Sequence, residues 1–249
     1  KINAVLEVFY CVTKLKTWVL LRQHLFVVLK SADKILQRIK EGEGLNLDFK
    51  HSINDAKKIA RSLSAFANTK GGSLLIGVRD NGSIAGVNSE EEYFMVETAA
   101  LIYCKPSIKF SVNNFNVLGK QVLEIIVSES ETKPHTAPDN DGVFKAYVRV
   151  NDENIIAPKP LVEVWKRLQN NVKGVKINFD ENISFLLKEI NQNGSISKSQ
   201  FVRHTGIKSY VANKILTNLI IMNILDLEIT ASETRYVFNK NFDFNKHEF

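Results

Sequence analysis

The chain has 249 residues, 44% of them apolar, and carries 33 Lys and Arg against 27 Asp and Glu for a net charge of +6. That length and apolar content suit one medium domain plus a small one, and five prolines with twelve glycines leave no long low-complexity linker. The surplus is local: residues 1–40 carry eight cations against Glu7 and Asp33, residues 41–170 fifteen against seventeen acids, and residues 171–249 ten against eight. Basicity alone therefore does not mark the body of the chain as a nucleic-acid binder.

Residues 1–30 are apolar but broken by Lys14, Lys16 and Arg22, so no uncharged run approaches the roughly 18 residues of a membrane-spanning helix. With no initial Met and no small-residue cleavage site, the stretch does not read as a secretory signal. A packed extension is the first reading, with a membrane-surface helix or a partner-binding arm as alternatives. Cys11 and Cys104 lie far apart without metal-ligand spacing. They read as free thiols of a cytoplasmic protein.

From Ser31 a regular pattern begins. Ser31 caps a helix with Ile35, Leu36 and Ile39 on one side, ending at Gly42. LNLDFK then alternates as a half-buried strand, with Asp48 and Lys50 on its polar face. NDAKKIARSLSAFANT is a helix whose apolar stripe is Ile59, Ala60, Leu63 and Phe66, opposite Lys57, Arg61, Ser64 and Asn68. Gly71-Gly72 end that helix and launch the strand SLLIGV; Asp80-Asn81-Gly82-Ser83 turn the chain into a second strand, SIAGV. A phosphate cradle needs its glycines between a strand and the start of a helix, and here the order is reversed.

Ser89 and Glu92 form a capping box for a helix to about Tyr103. Strands follow near 107–115 and 121–127, then a polar loop, ETKPHTAPDNDG, with His135 at the surface. The strand VFKAYVRV and the helix PLVEVWKRLQNN close this part near residue 171. The remainder reads as three helices (ENISFLLKEINQNG, SKSQFVRHTGI, KSYVANKILTNLIIMNIL) and a strand or hairpin, ITASETRYVF. That is the order of a winged helix. Its third helix offers Lys208, Ser209, Tyr210, Asn213, Lys214 and Thr217 away from the core, with Arg235 on the wing.

GEGLNLDFK, SAFANTKGG, LLIGVRDNGSIAGV and KAYVRVNDENIIA, in this order and spacing, resemble the Schlafen AlbA-like domain, also described as a divergent AAA-type domain. The resemblance covers roughly residues 31–170. It implies an α+β fold, a mixed-sheet domain over 31–171, and, as in bacterial relatives read as transcriptional regulators, a small winged helix over 172–249. It also implies nucleic-acid binding; Lys50, Lys57 and Arg61 are the candidate phosphate contacts of the first domain, with an ordinary exposed helix face as the plain reading of Lys57 and Arg61. In some Schlafen proteins the domain is a metal-dependent endoribonuclease with three acids, which by motif fall on Glu43, Asp48 and Asp80; Mg²⁺ or Mn²⁺ would be held there. Asp48 is shorter than the family's glutamate, and Arg79 stands where a second acid is common. The bland reading of Asp48 and Lys50 is a solvated ion pair, and of Asp80 a turn residue.

The favoured reading is a cytoplasmic, homodimeric DNA-binding transcriptional regulator without a cofactor. The alternatives are an endoribonuclease acting on RNA and a protein-interaction module without nucleic acid.

Overall fold

The computed structural model describes residues 33–170 and 177–243; the Ser31 cap and residues 1–30 lie outside that range. It is a mixed α+β structure. Helix α1 (33–41) leads to β1 (Leu47–Lys50), α2 (Ala56–Asn68) and β2 (Gly72–Ile76). Then come α3 (Ser89–Leu101), the hairpin β3 (Ser111–Val117) and β4 (Lys120–Val127), and the strands β5 (Thr136–Pro138), β6 (Phe144–Val150) and β7 (Glu153–Ile156). Helix α4 (Lys159–Gln169) follows. The last part holds α5 (Glu181–Asn193), β8 (Ile196–Ser197), α6 (Lys198–Thr205), α7 (Ser209–Ile221), β9 (Leu225–Ile229) and β10 (Thr234–Phe238).

The first sheet has the order β1-β2-β4-β3, with β1 parallel to β2 and the other pairs antiparallel. Its alternating side chains fill two cores. Leu74, Ile76, Leu123 and Ile125 pack against α2 and α3, while Phe49, Leu75 and Val122 pack against Ile35 and Ile39 of α1. Arg38 reaches from α1 to the buried Glu124 carboxylate of β4, which also accepts from Asn113 Nδ2 at 2.9 Å.

The antiparallel sheet β5-β6-β7 lies on the other side of α2. Helix α2 is therefore covered beyond its apolar stripe: Ser64 and Asn68, expected on an open polar face, are buried. The segment expected to be an irregular polar loop contributes β5, and His135 is 4% exposed rather than at the surface. Its Nδ1 donates to Pro106 O at 2.9 Å and its Nε2 is hydrogen-bonded to Ser130 Oγ at 2.8 Å.

SIAGV does not become a strand. Ala85 N and Gly86 N both donate to Gly77 O, at 2.8 and 3.0 Å, which folds the segment into a tight loop with a single Val78–Ile84 bridge. Helix α3 starts from Asn88, and Glu92 turns inward to accept from Ile53 N at 2.9 Å instead of closing a capping box.

In the last part, Ile183, Leu186, Leu187, Phe201, Leu216 and Tyr236 build a separate core. Ser197 and Gln200 form a reciprocal capping box at the start of α6, and Gly194 and Gly206 end α5 and α6 in the left-handed region. The strands β8, β10 and β9 pair in that order. Helix α4 joins the two parts. Leu161, Val162 and Trp165 pack on Ala146, Val148 and Ala157 with Ile229 of β9. Arg167 Nη1 donates to Asn218 Oδ1 of α7 at 2.7 Å.

Candidate functional site

The motif residues meet around a buried guanidinium. Arg149, at the end of β6, is 3% exposed. Its Nε donates to Gly44 O at 3.1 Å, Nη1 to Asn154 Oδ1 at 3.1 Å, and Nη2 to Leu47 O at 3.2 Å and Asp48 Oδ1 at 3.3 Å. Asp48 is 4% exposed, so it is a buried, hydrogen-bonded anion and not half of a solvated pair. Its Oδ2 takes Lys50 Nζ at 2.9 Å and Ser62 Oγ at 3.4 Å. Strand alternation put Asp48 outside, but α2 and the second sheet cover that face.

Glu43 adjoins Asp48 and accepts from Phe49 N at 2.7 Å. Desolvation holds the Glu43 carboxyl above its ordinary range, and the hydrogen bond and charge of Asp48 push the same way, against the Phe49 N–H and Lys50. Asp80 is an exposed turn residue. Among the described residues no group of three or more His, Cys, Asp and Glu side chains could hold a metal ion.

The three acids do not fit a divalent ion. Such an ion needs converging, unneutralised oxygens, whereas the Asp48 oxygens are taken by Arg149, Lys50 and Ser62 and one Glu43 oxygen by a backbone N–H.

The glycine pair belongs to the same joint. Gly71 has φ +69°, its N–H donates to Phe66 O at 2.9 Å, and a Cβ there would meet Val127 O at 2.7 Å. A Cβ on Gly72 would lie 2.4 Å from the Phe66 ring. Asn68 Nδ2 donates to His135 O at 2.7 Å and Tyr147 O at 2.9 Å, and its Oδ1 accepts from His135 N at 2.8 Å. Thr69 Oγ1 accepts from Arg149 N at 2.8 Å. FANTKGG thus ties α2 to both sheets.

The basic candidates divide by location. Lys50 Nζ is held by Asp48 and by Phe49 O at 2.7 Å. Arg61 Nε donates to Pro138 O at 2.8 Å, and Lys57 sits 5.8 Å from the Tyr103 ring centroid. Arg235 is tied to Glu233 at 2.6 Å and Ser195 at 2.9 Å. Lys208 and Ser209 are exposed at the start of α7.

Four α7 residues, Tyr210, Asn213, Lys214 and Thr217, come together with β6 and α4 around a cleft of about 660 Å³. Thr217 lies at its closed end, 1% exposed, with Oγ1 donating to Pro160 O at 3.5 Å. Lys145, Lys159, Lys166, Arg167 and Lys214 line the cleft against one lining acid, Glu163. Lys145 is paired with Asp139 at 2.6 Å, which holds the Asp139 carboxyl below its ordinary value and the Lys145 ammonium above. Lys166 meets Glu163 at 3.4 Å. Lys159, Arg167 and Lys214 have no acidic partner among the described residues.

Sequence reasoning missed the cleft's first-part wall, Phe144, Lys159 and Lys166, and also Arg149. Exposed cations on α4 look like any solvated helix face. The arginine set between valines in YVRVNDEN was the one available signal for Arg149.

No curated protein matches the chain. Among solved structures, the DIP2311 protein of Corynebacterium diphtheriae is 22% identical with a TM-score of 0.38, over 50% of this chain and 28% of that one. The N-terminal domain of a RecG-related protein from Nitrosomonas europaea is 16% identical with a TM-score of 0.36, over 60% of this chain and 95% of that one. The chain thus spans little more than a quarter of the length of the Corynebacterium protein. Residues 43–158, which hold β1 to β7 with α2 and α3, match the family model described as Schlafen, AlbA_2.

Proposed function

We propose that this protein binds nucleic acid, with DNA as its partner and transcriptional regulation as its role. Residues 31–171 are read as the AlbA-like domain and 172–249 as a winged helix, in a cytoplasmic homodimer. The order α5, β8, α6, α7, β9, β10, with a sheet ordered β8-β10-β9, supports the winged-helix reading.

The observation that carries the proposal is the cationic cleft. Lys159, Arg167 and Lys214, three cations without acidic partners among the described residues, lie where the first two turns of α7 face the AlbA_2 domain. In helix-turn-helix proteins the first residues of the recognition helix reach base edges, and neighbouring cations hold phosphates. Lys208, Ser209, Tyr210, Asn213 and Lys214 supply such a set.

The test is a fluorescence-anisotropy titration of the full chain with labelled genomic fragments over a salt series. The expected result is binding at micromolar protein or tighter, weakening linearly in log salt. Lys208→Gln and Lys214→Gln should each reduce the slope by about one. No binding at low salt would defeat the proposal, and salt-independent capture of another protein would favour the interaction-module reading.

A further inference from the structure

The geometry points to an unpaired nucleotide of a single strand as the occupant of the cleft between α4, β6 and α7. This inference rests on the nucleic-acid reading and names the form of nucleic acid.

Three features converge. The first is shape and occlusion. The cleft, about 660 Å³, falls within the roughly 300–1,000 Å³ that encloses one small organic group. Helix α7 cannot lie along a major groove over its whole length, because Thr217 and Asn218 are buried, 1% and 7% exposed, with hydrogen bonds to Pro160 and Arg167. Only its first two turns remain open, and they face another wall of protein.

The second feature is a pair of exposed aromatic rings contributed by two different elements. Phe144 of β6 is 38% exposed and Tyr210 of α7 is 69% exposed, and both line the cleft. Lys105 Nζ sits 4.2 Å from the Phe144 ring centroid, so one side of that ring already carries a cation and further positive charge stands beside the cleft. Aromatic rings interleaved with lysines suit a strand whose bases are unstacked from one another. A paired base offers only its groove edge, whereas an unpaired base offers its face.

The third feature is an unmet hydrogen bond. Asn213 lines the cleft, and its Oδ1 is buried without a hydrogen-bond partner among the described residues. A buried acceptor left unpaired costs roughly what a donor entering the cleft would return. The exocyclic amine of a nucleobase is such a donor, while Lys214, Lys159 and Arg167 match the phosphate. One ligand thereby answers the planar walls, the orphan acceptor and the surplus charge together.

The full chain is titrated by anisotropy against labelled oligo-dC, oligo-dT and a duplex of equal length at one salt concentration. Single strands should bind more tightly than the duplex. Phe144→Ala and Tyr210→Ala should each weaken strand binding about 5- to 150-fold, the range for losing one stacked base, with duplex binding changed less than about twofold by Phe144→Ala. Both rings are exposed, so an unchanged melting curve verifies the fold of each variant. Oligo-dC should bind more tightly than oligo-dT, which lacks the amine, and Asn213→Leu should erase that difference.

Tighter duplex binding with indifferent aromatic variants would overturn the inference while leaving the nucleic-acid reading intact. Equal affinity for dC and dT in the native protein would overturn the part assigned to Asn213. Cytidine monophosphate binding as tightly as the strand would transfer the cleft to a free nucleotide and overturn the strand. Failure of every nucleic acid to bind would instead sink the reading on which the inference rests.

Discussion

Replacing Asp48 by Asn keeps the shape of the side chain and removes the charge that faces Arg149. The two groups are 4% and 3% exposed and meet at 3.3 Å. Breaking a buried pair by neutralising one partner costs about 3–5 kcal/mol, because the remaining charge stays desolvated. Arg149 keeps Gly44 O, Leu47 O and Asn154 Oδ1 as acceptors, so the lower end, about 3 kcal/mol, is expected here. At roughly 2–4 °C per kcal/mol for a chain of this size, Tm should fall by about 6–12 °C. Urea unfolding followed by ellipticity gives the free energy directly. Asp80→Asn, on an exposed turn, is the control and should stay within about 0.5 kcal/mol. Adding Arg149→Met to Asp48→Asn should deepen the loss, since Gly44 O, Leu47 O and Asn154 Oδ1 then lose their donor as well. If Asp48→Asn proved as mild as Asp80→Asn, the structural role of the acid would be refuted. A catalytic carboxylate outside the fold's support would behave in that mild way.

Gly72→Ala should destabilise by about 1–3 kcal/mol in the same unfolding assay, because its Cβ would lie 2.4 Å from the buried Phe66 ring; Phe66→Leu in the same chain should return part of it. Glu43 supplies a pH dependence. Its carboxyl is raised above the ordinary 4.5, chiefly by desolvation, so the folded state holds the proton more tightly than the unfolded one. That contribution to stability is complete below 4.5 and is lost as pH climbs through the raised value. Glu43→Gln, which keeps an acceptor for Phe49 N–H, should flatten this part of a urea-midpoint profile. Cys104 is 2% exposed and burial pushes its thiol up to about 12. In a Cys11→Ser background, a thiol reagent should therefore label the chain at the rate of unfolding and not faster.

Much of the element order was legible because periodicity reports local burial. The α2 stripe, the β3–β4 hairpin, the three helices of the last part and the terminal hairpin all follow from it. The misses share one cause. Asp48, Ser64, Asn68 and His135 are polar residues that the sequence pattern assigned to solvent, and all are buried. A two-state reading of polar-out and apolar-in cannot register a layer that covers a helix's polar face, because the covering sheet arrives some 70 residues later: Asn68 to Tyr147 O and Ser64 to His135 O are separated by 79 and 71 positions. The cleft was half legible. Tyr210, Asn213 and Lys214 stood out on α7, but their opposite wall depends on how α4 docks, which no local pattern encodes.

The motif residues and the cleft residues consequently answer to different constraints. Glu43, Asp48, Asn68, Thr69, Gly71, Gly72 and Arg149 are joined by hydrogen bonds or by close backbone approach that spans both sheets and α2. Altering Glu43, Asp48, Asn68, Thr69 or Arg149 strands a hydrogen-bonding group or charge, and a side chain on Gly71 or Gly72 would meet Val127 O or the Phe66 ring, so these positions can be retained for the fold whatever the domain binds. Phe144, Lys159, Lys166, Tyr210 and Lys214 are exposed, apart from the base of the cleft formed by Thr217. Exposed rings and lysines contribute little to stability, so their clustering around one cleft calls for a reason outside folding. Variants in the two groups should therefore separate cleanly. The first set should lower Tm, in step with the hydrogen bonds removed at the polar positions and with the clash introduced at the glycines, while the second should leave Tm in place and change binding and its salt dependence.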